Sequence, residues 1–279
     1  MMMKTRKLIA DILTYACLIV TAFVCLLPLY WMVRSSLMRQ SQIFIMPPRW
    51  IPNPFMFENY TKALTILPFD RYFINTLTIV IGGVSGTLIT ATLCAYSFAR
   101  LRWPGRSVVF ACIMSSMMLP YAVTLISTFL GWQALGALNT FLPLIVPAWF
   151  GGGVFNIFLL RQFYRTIPTD MDEAALIDGA GYLQILIKII LPLTKPALIV
   201  VGLFSFMHYW NDFLGPLVYL NDDRMFTLSL GLTMFKGMYN AQWHLMMAAS
   251  TVVIAPVLLV FFIGQRYFIE GIALTGMKG

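Results

Sequence analysis

Few of the side chains able to do chemistry stand where chemistry would need them. His208 and His244 are far apart, with no cysteine or carboxylate at ligand spacing, so they read as helix-packing or interfacial groups and no metal site is expected. Cys17, Cys25, Cys94 and Cys112 each lie inside an apolar run, where a thiol acts as a small hydrophobe rather than as half of a bridge or a redox motif. The triplet Gly151-Gly152-Gly153 is followed by no Lys-Ser or Lys-Thr at phosphate-loop spacing, and no Walker A pattern occurs elsewhere. If ATP is used, another chain binds it together with its Mg, and no cofactor is expected on this one. No nucleophile with a base, and no carboxylate pair, recurs within the apolar stretches, which argues against an intramembrane enzyme. Two constellations remain. Trp210, Asn211 and Asp212 combine a ring face, an amide and a carboxylate, groups that suit the flat faces and hydroxyls of a sugar. Asp170, Asp172 and Glu173 form an acidic cluster just before Ala174-Ala175 and a pair of glycines.

The elements that must position these groups are membrane spans. Of the 279 residues, 59% are hydrophobic and 11% charged, against roughly 25% charged in a soluble domain. Six segments offer the ~20 apolar residues a helix needs to cross about 30 Å of hydrocarbon. They are Leu8 to Val33, Phe73 to Phe98, Ser107 to Leu130, Thr140 to Leu160, Leu193 to Tyr219 and Trp243 to Gly264, and the stretch Leu119 to Asn139 has the character of a fold-back. The first is too long for a cleaved signal core of about 7–15 residues and reads as an uncleaved span. An all-α integral membrane protein with about six transmembrane helices follows, in one transmembrane domain over 1–279. Pro143, Pro147 and Pro256 are expected to kink their helices.

The net charge of +8 is spread in short basic clusters at the ends of apolar runs, the pattern of topology signals rather than of nucleic-acid binding. With the N-terminus inside, the cytoplasmic segments hold twelve of the 19 Lys and Arg, among them Arg100, Arg102, Arg106, Arg161 and Arg165. An N-in, C-in arrangement is therefore expected. Gly82 and Gly86 form a GxxxG in the second span, a pattern that lets another helix approach closely.

The one sizeable cytoplasmic stretch is 161–191. Pro168 breaks the preceding helix, Thr169 is placed to cap the next, and Asp170, Asp172 and Glu173 put negative charge in a first turn, where the helix dipole favours it. Gly179 and Gly181 supply left-handed or loose geometry that ends the short helix, and Tyr182 to Leu191 begins an apolar one before Pro192. A short acidic helix outside the bilayer, joined by a glycine elbow to one that re-enters it, is shaped to dock on a soluble partner.

Glu173-Ala174-Ala175 with Asp178-Gly179-Ala180 and Ile190-Leu191-Pro192 resembles the EAA loop of ABC importer permeases. Glu58-Asn59-Tyr60, the run Tyr209 to Leu217, and the tail Gln265 to Gly271 ending at Lys278-Gly279 resemble the carbohydrate-uptake class, in particular the smaller subunit of maltose-type importers. The resemblance implies a type I ABC importer permease (MetI-like) fold with a cytoplasmic coupling helix in the EAA-type loop, working by alternating access. It implies that Glu173 pairs with a basic residue of the ATPase, that Ala174 and Ala175 let the helix seat closely, and that Asp178 and Gly179 shape the turn. Gln265, Arg266, Tyr267 and Gly271 would reach toward the ATPase pair. The implied partners are a second permease forming a heterodimer, two ATP-binding subunits, an extracytoplasmic sugar-binding protein and membrane lipid. Two alternatives stay open: an ABC permease for a non-sugar solute, and an ion-coupled secondary transporter. Against the second, no repeat relates the halves, and only Asp212 among the acids could lie well inside the membrane, Asp11 standing three residues into the first span.

Overall fold

The computed structural model describes residues 2–237 and 241–276, with side chains described at 7, 9–237 and 241–266. All regular elements among the described residues are helical. The main ones are α1 (Met2–Ser36), α2 (Glu58–Ile66), α3 (Phe69–Arg100), α4 (Arg106–Ser116), α5 (Tyr121–Ala134) and α6 (Val154–Thr166). They continue as α7 (Asp170–Ile177), α8 (Tyr182–Leu193), α9 (Lys195–Asn211), α10 (Leu214–Tyr219) and α11 (Trp243–Gly276).

Among the described residues, four segments are long and apolar enough to span a membrane: Ile9–Ser36, Phe69–Arg100, Leu142–Thr166 and Trp243–Arg266. Two bent pairs bring the number to six if each is one span: α4 with α5 at 98°, and α8 with α9 at 83°. The first bend falls at Pro120, which has no N–H and holds an extended backbone at the start of α5. The bend lies at the start of the stretch Leu119 to Asn139, which the sequence reads as a fold-back. The second falls at Thr194, between Pro192 and Pro196, where the threonine hydroxyl donates to Ile190 O at 2.8 Å.

Two sequence expectations change. The fifth span does not run as one helix to Tyr219: α9 ends at Asn211, and Asp212 is extended before α10 begins. Pro143 and Pro147 do not kink a continuous helix either. Each sits in the first turn of a short piece, Leu142–Ile145 and Val146–Trp149, where a missing N–H breaks no helical bond. α11 runs through Pro256 without interruption.

The chain forms two compact units, Met1–Phe69 with Gly231–Ala255, and Asp70–Leu230 with Pro256–Gly279. In the first, no residue in the apolar window of α1 is buried by the described residues, as expected of side chains that face lipid. Its end is clamped by the Glu58-Asn59-Tyr60 segment. Asn59, 2% exposed, donates from Nδ2 to both Ser36 O and Met38 O at 2.8 Å, and the Tyr60 hydroxyl lies 2.7 Å from Ser36 Oγ. The motif thus satisfies carbonyls that a helix end leaves open. Asn59→Ala leaves two buried acceptors unmet and is expected to cost about 1–3 kcal/mol, read as a lower thermal midpoint of the purified chain. Gln40 does a similar service at the start of α11, its Oε1 lying 2.8 Å from His244 Nδ1. His244 is accordingly a packing histidine.

The second unit has its main core where α3, α6, α8 and α9 meet, around Ala91, Ala95, Leu160, Tyr164, Ile185, Ile190 and Val201. Close approach to α3 depends on its glycines. A Cβ on Gly82 would lie 2.9 Å from Ile145, one on Gly83 2.5 Å from the Tyr209 ring, and one on Gly86 2.6 Å from Trp149. Trp149 also donates Nε1 to Gly82 O at 3.1 Å. The GxxxG is a real contact surface, with Gly83 as its third member. Gly152 seats its loop against the same helix: its φ is +66°, and a Cβ there would meet Thr87 O at 2.6 Å and Ala91 N at 2.7 Å. Of the triplet, Gly152 is thus a packing residue, whereas a Cβ on Gly151 would meet nothing within 4 Å.

Candidate functional site

The segment 161–191 builds the helix–elbow–helix expected of it, with differences in detail. Thr169 occupies the N-cap position of α7 but its hydroxyl caps nothing; its backbone is already helical, and its carbonyl accepts from Asp172 N at 2.9 Å and Glu173 N at 3.1 Å. The helix ends in a Schellman turn. Ala180 N donates to Ala175 O at 2.9 Å and Gly179 N to Leu176 O at 3.0 Å, with Gly179 at φ +81°. Gly181 is extended, not left-handed, and its N–H donates to Gln184 Oε1 at 3.1 Å, starting α8.

What holds α7 in place is a pair that sequence reasoning used only separately, Arg100 as a topology signal and Asp172 as a first-turn charge. Arg100 Nη1 lies 3.6 Å from Asp172 Oδ2, with the two side chains 3% and 15% exposed. Arg100 Nη2 donates to Ile167 O at 2.8 Å, so one guanidinium at the end of α3 ties both the α6–α7 connection and α7 itself. Arg100 Nε and Asp172 Oδ1 are buried without hydrogen-bond partners. An ion pair satisfied this incompletely is a poor source of stability, and its use is positional. Burial pushes the Asp172 carboxyl above its ordinary range despite the opposing pull of Arg100, with Glu173 pushing the same way. Their pairing could not be read from positions 72 residues apart without knowing that α3 and α7 meet.

With Asp172 turned inward, α7 presents Glu173, Ala174 and Asp178 exposed, Ala175 half-buried, and three apolar side chains outward: Met171 at 41%, Leu176 at 41% and Ile177 at 87% exposure. Acids and apolar groups share the outer surface of one short helix. Gln265 and Arg266 are exposed on α11; Tyr267 and Gly271, with Lys278-Gly279, lie outside the residues whose side chains are described.

Of Trp210, Asn211 and Asp212, the first is buried, the second exposed and the third half-buried. Trp210 is 3% exposed, with ring centroids 6.1 Å from Phe73 and 5.4 Å from Phe206. Asn211 bonds back to Met207 O at 2.9 Å, and Asp212 Oδ1 accepts Gly215 N at 3.1 Å while its carbonyl accepts from Ser229. None of the three lines the cavity of about 420 Å³ found one turn earlier on the same helix. That cavity is walled by Thr87 of α3, the 147–153 loop, Phe155 and Asn156 of α6, and Phe204, Ser205, His208 and Tyr209 of α9. The available signal was Ser205, His208 and Tyr209 at i, i+3 and i+4, polar groups on one face of an apolar span.

Residues 87–273 match the family described as "Binding-protein-dependent transport system inner membrane component". The chain is similar to the diacetylchitobiose uptake system permease protein of Streptomyces coelicolor, 30% identical with 91% of this chain and 84% of that one covered. It is similar to the sn-glycerol-3-phosphate transport system permease protein of Rhizobium meliloti, 29% identical over 98% and 99% of the two chains. Its fold matches a chain in the crystal structure of a bacterial ABC transporter involved in the import of the acidic polysaccharide alginate, with a TM-score of 0.82, 26% identity, and 93% and 96% covered.

Proposed function

Because this chain belongs to the family of inner-membrane components of binding-protein-dependent transport systems, we propose that it is one permease subunit of an ATP-driven sugar importer, working by alternating access. The observation that carries the coupling half of this reading is α7: an acidic helix outside the spans, anchored from behind by Arg100, with Glu173 and the apolar Met171, Leu176 and Ile177 turned outward. A soluble ATPase with a basic, partly apolar groove fits that surface, Glu173 facing a cation while Ala174 and Ala175 permit close seating. Asp178 and Gly179 set the turn that hands motion on to α8. ATP and Mg then belong to two ATPase subunits. A second permease and an extracytoplasmic binding protein complete the assembly, with Gln265, Arg266, Tyr267 and Gly271 reaching toward the ATPase pair. Twelve of the 19 basic residues fall on one side under an N-in, C-in arrangement, which supports placing α7 in the cytoplasm.

The sugar half rests on the relatives named for diacetylchitobiose and alginate. A non-sugar cargo is the second reading, favoured by the relative named for sn-glycerol-3-phosphate. The deciding experiment is ATP hydrolysis by the complete complex in lipid discs with its binding protein, over a panel of neutral oligosaccharides, uronate oligosaccharides and glycerol phosphate. One sugar class is expected to stimulate the wild type, and Glu173→Lys is expected to lose at least about 10-fold of that stimulation, as loss of a charge-assisted contact of ~1.5–3 kcal/mol implies. Stimulation by glycerol phosphate alone overturns the sugar reading. An unaltered response in Glu173→Lys overturns the role of α7.

A further inference from the structure

We propose that this subunit supplies its own subsite for a neutral saccharide ring, in the cavity between α3, α6 and α9. The inference rests on the importer reading and deepens it by naming where this chain touches cargo and which cargo it favours. Thr87 lies 13 residues before Arg100 on an unbroken helix, so the cavity is about 20 Å from the coupling end, deep within the spans. Polar side chains at that depth are expensive unless they face a polar space or one another. Here three helices converge several of them on one space.

The built features are specific. Ser205 is 4% exposed and lines the cavity, and its Oγ has no hydrogen-bond partner among the described residues. A buried hydroxyl left unmet costs free energy that a ligand hydroxyl would recover. His208 stands one turn along the same face, its ring 5.0 Å from that of Tyr209. The Tyr209 hydroxyl is 3.4 Å from Thr87 Oγ1, which fixes the ring over Gly83. Asn156 is held by its Nδ2 donating to Gly152 O at 2.9 Å, which turns its amide oxygen away from that bond. Phe155, Phe204 and Tyr209 supply ring faces. At about 420 Å³ the space falls within the ~300–1,000 Å³ of small-molecule sites.

The charge of the lining selects the ligand. Among the described residues, no Lys, Arg, Asp or Glu borders the cavity. A uronate or a phosphate ester would have to shed its water there with no cation to receive it. Neutral rings offer hydroxyls to Ser205, His208 and Asn156 and an apolar face to the aromatics.

Ser205→Ala separates a subsite from a packing role. The hydroxyl bonds to no described residue, so its removal is expected to leave the thermal midpoint of the complex unchanged or higher. As a ligand group its loss is expected to raise the sugar concentration for half-maximal uptake by about three- to tenfold. His208→Phe, which keeps a ring of similar size, is expected to raise it at least as much. Both are measured in proteoliposomes holding the full complex, with whichever neutral sugar of the panel stimulates the wild type. A stimulated wild type with Ser205→Ala and His208→Phe indistinguishable from it overturns the subsite alone. Failure of Ser205→Ala to assemble also overturns it, because the hydroxyl would then serve the fold. A wild type that answers only to uronates or glycerol phosphate overturns the neutral-ring assignment, and one that answers to no sugar overturns the cargo reading and the subsite together.

Discussion

Valine at Gly152 is expected to abolish accumulation of folded chain. The residue holds φ +66°, and a Cβ would stand 2.6 Å from Thr87 O and 2.7 Å from Ala91 N. These obstructing atoms are helix backbone, which cannot rotate aside as a side chain would. A left-handed conformation costs a residue with a Cβ roughly 1–2 kcal/mol, and overpacking a rigid contact adds about 1–3 kcal/mol. Together these approach the lower end of the ~5–15 kcal/mol that holds a domain folded. The measurement is the monodisperse fraction of the solubilised chain on size exclusion. Gly105→Asn is the control: it also replaces a left-handed glycine, at φ +81°, but with nothing within 4 Å of the new Cβ. Asparagine tolerates that backbone region, so the control chain is expected to accumulate normally. Equal losses in both would show that backbone conformation, rather than the approach to α3, sets the requirement.

Reversing the charge of Arg100 is expected to break the connection between ATP hydrolysis and uptake. Arg100→Asp leaves Asp172 facing a second carboxylate in a nearly closed site and removes the bond to Ile167 O. Breaking a buried pair by one partner costs about 3–5 kcal/mol, enough to lower coupled uptake by about 100-fold or more. The double exchange Arg100→Asp with Asp172→Arg restores the attraction but not the carbonyl bond, so partial recovery is expected, and that non-additivity is the signature of direct contact. Additive losses would mean that the two residues act separately. A pH titration gives an independent check. The Asp172 carboxyl titrates above its ordinary range, so the folded chain holds that proton more tightly than the unfolded chain does. This group's contribution to stability is therefore fully present below the unfolded value and fades as pH rises through the raised folded one. Acidification removes the charge on Asp172 without destabilising the fold through it. Uptake per ATP hydrolysed is expected to fall as pH drops through the raised value, and Asp172→Asn is expected to be flat over the same interval.

Periodicity and composition were enough to find the spans, because twenty apolar residues in a row leave little choice of structure. They could not show how spans break. The interruption at Asp212 depends on one carboxylate oxygen receiving Gly215 N, and hydropathy is blind to so local a preference. The turn after α7 was legible because Gly179 must be left-handed there. By contrast, Thr169 has the composition of a capping residue but lies in a backbone that already begins the helix. Glu58-Asn59-Tyr60, recognisable as a motif, carries the meaning of a clamp only when the carbonyls of Ser36 and Met38 are seen beside it. The Trp210-Asn211-Asp212 run drew attention by its chemistry. Helical phase sets Trp210 apart from the cavity: a half-turn of rotation turns it against Phe206, while Ser205 and His208 line the open side.

The continuity of α3 has a mechanical consequence. Its 32 residues include the glycine face, the cavity wall at Thr87 and the Arg100 anchor in one unbroken rod, and an α-helix is stiff over such a length. A tilt of about 10° imposed at Arg100 would carry Thr87, ~20 Å away, through roughly 3 Å. That displacement exceeds the tolerance of a hydrogen bond several times over. The helix is thus a lever arm whose short throw at one end suffices to make or unmake polar contacts at the other, with no intervening joint to absorb the stroke.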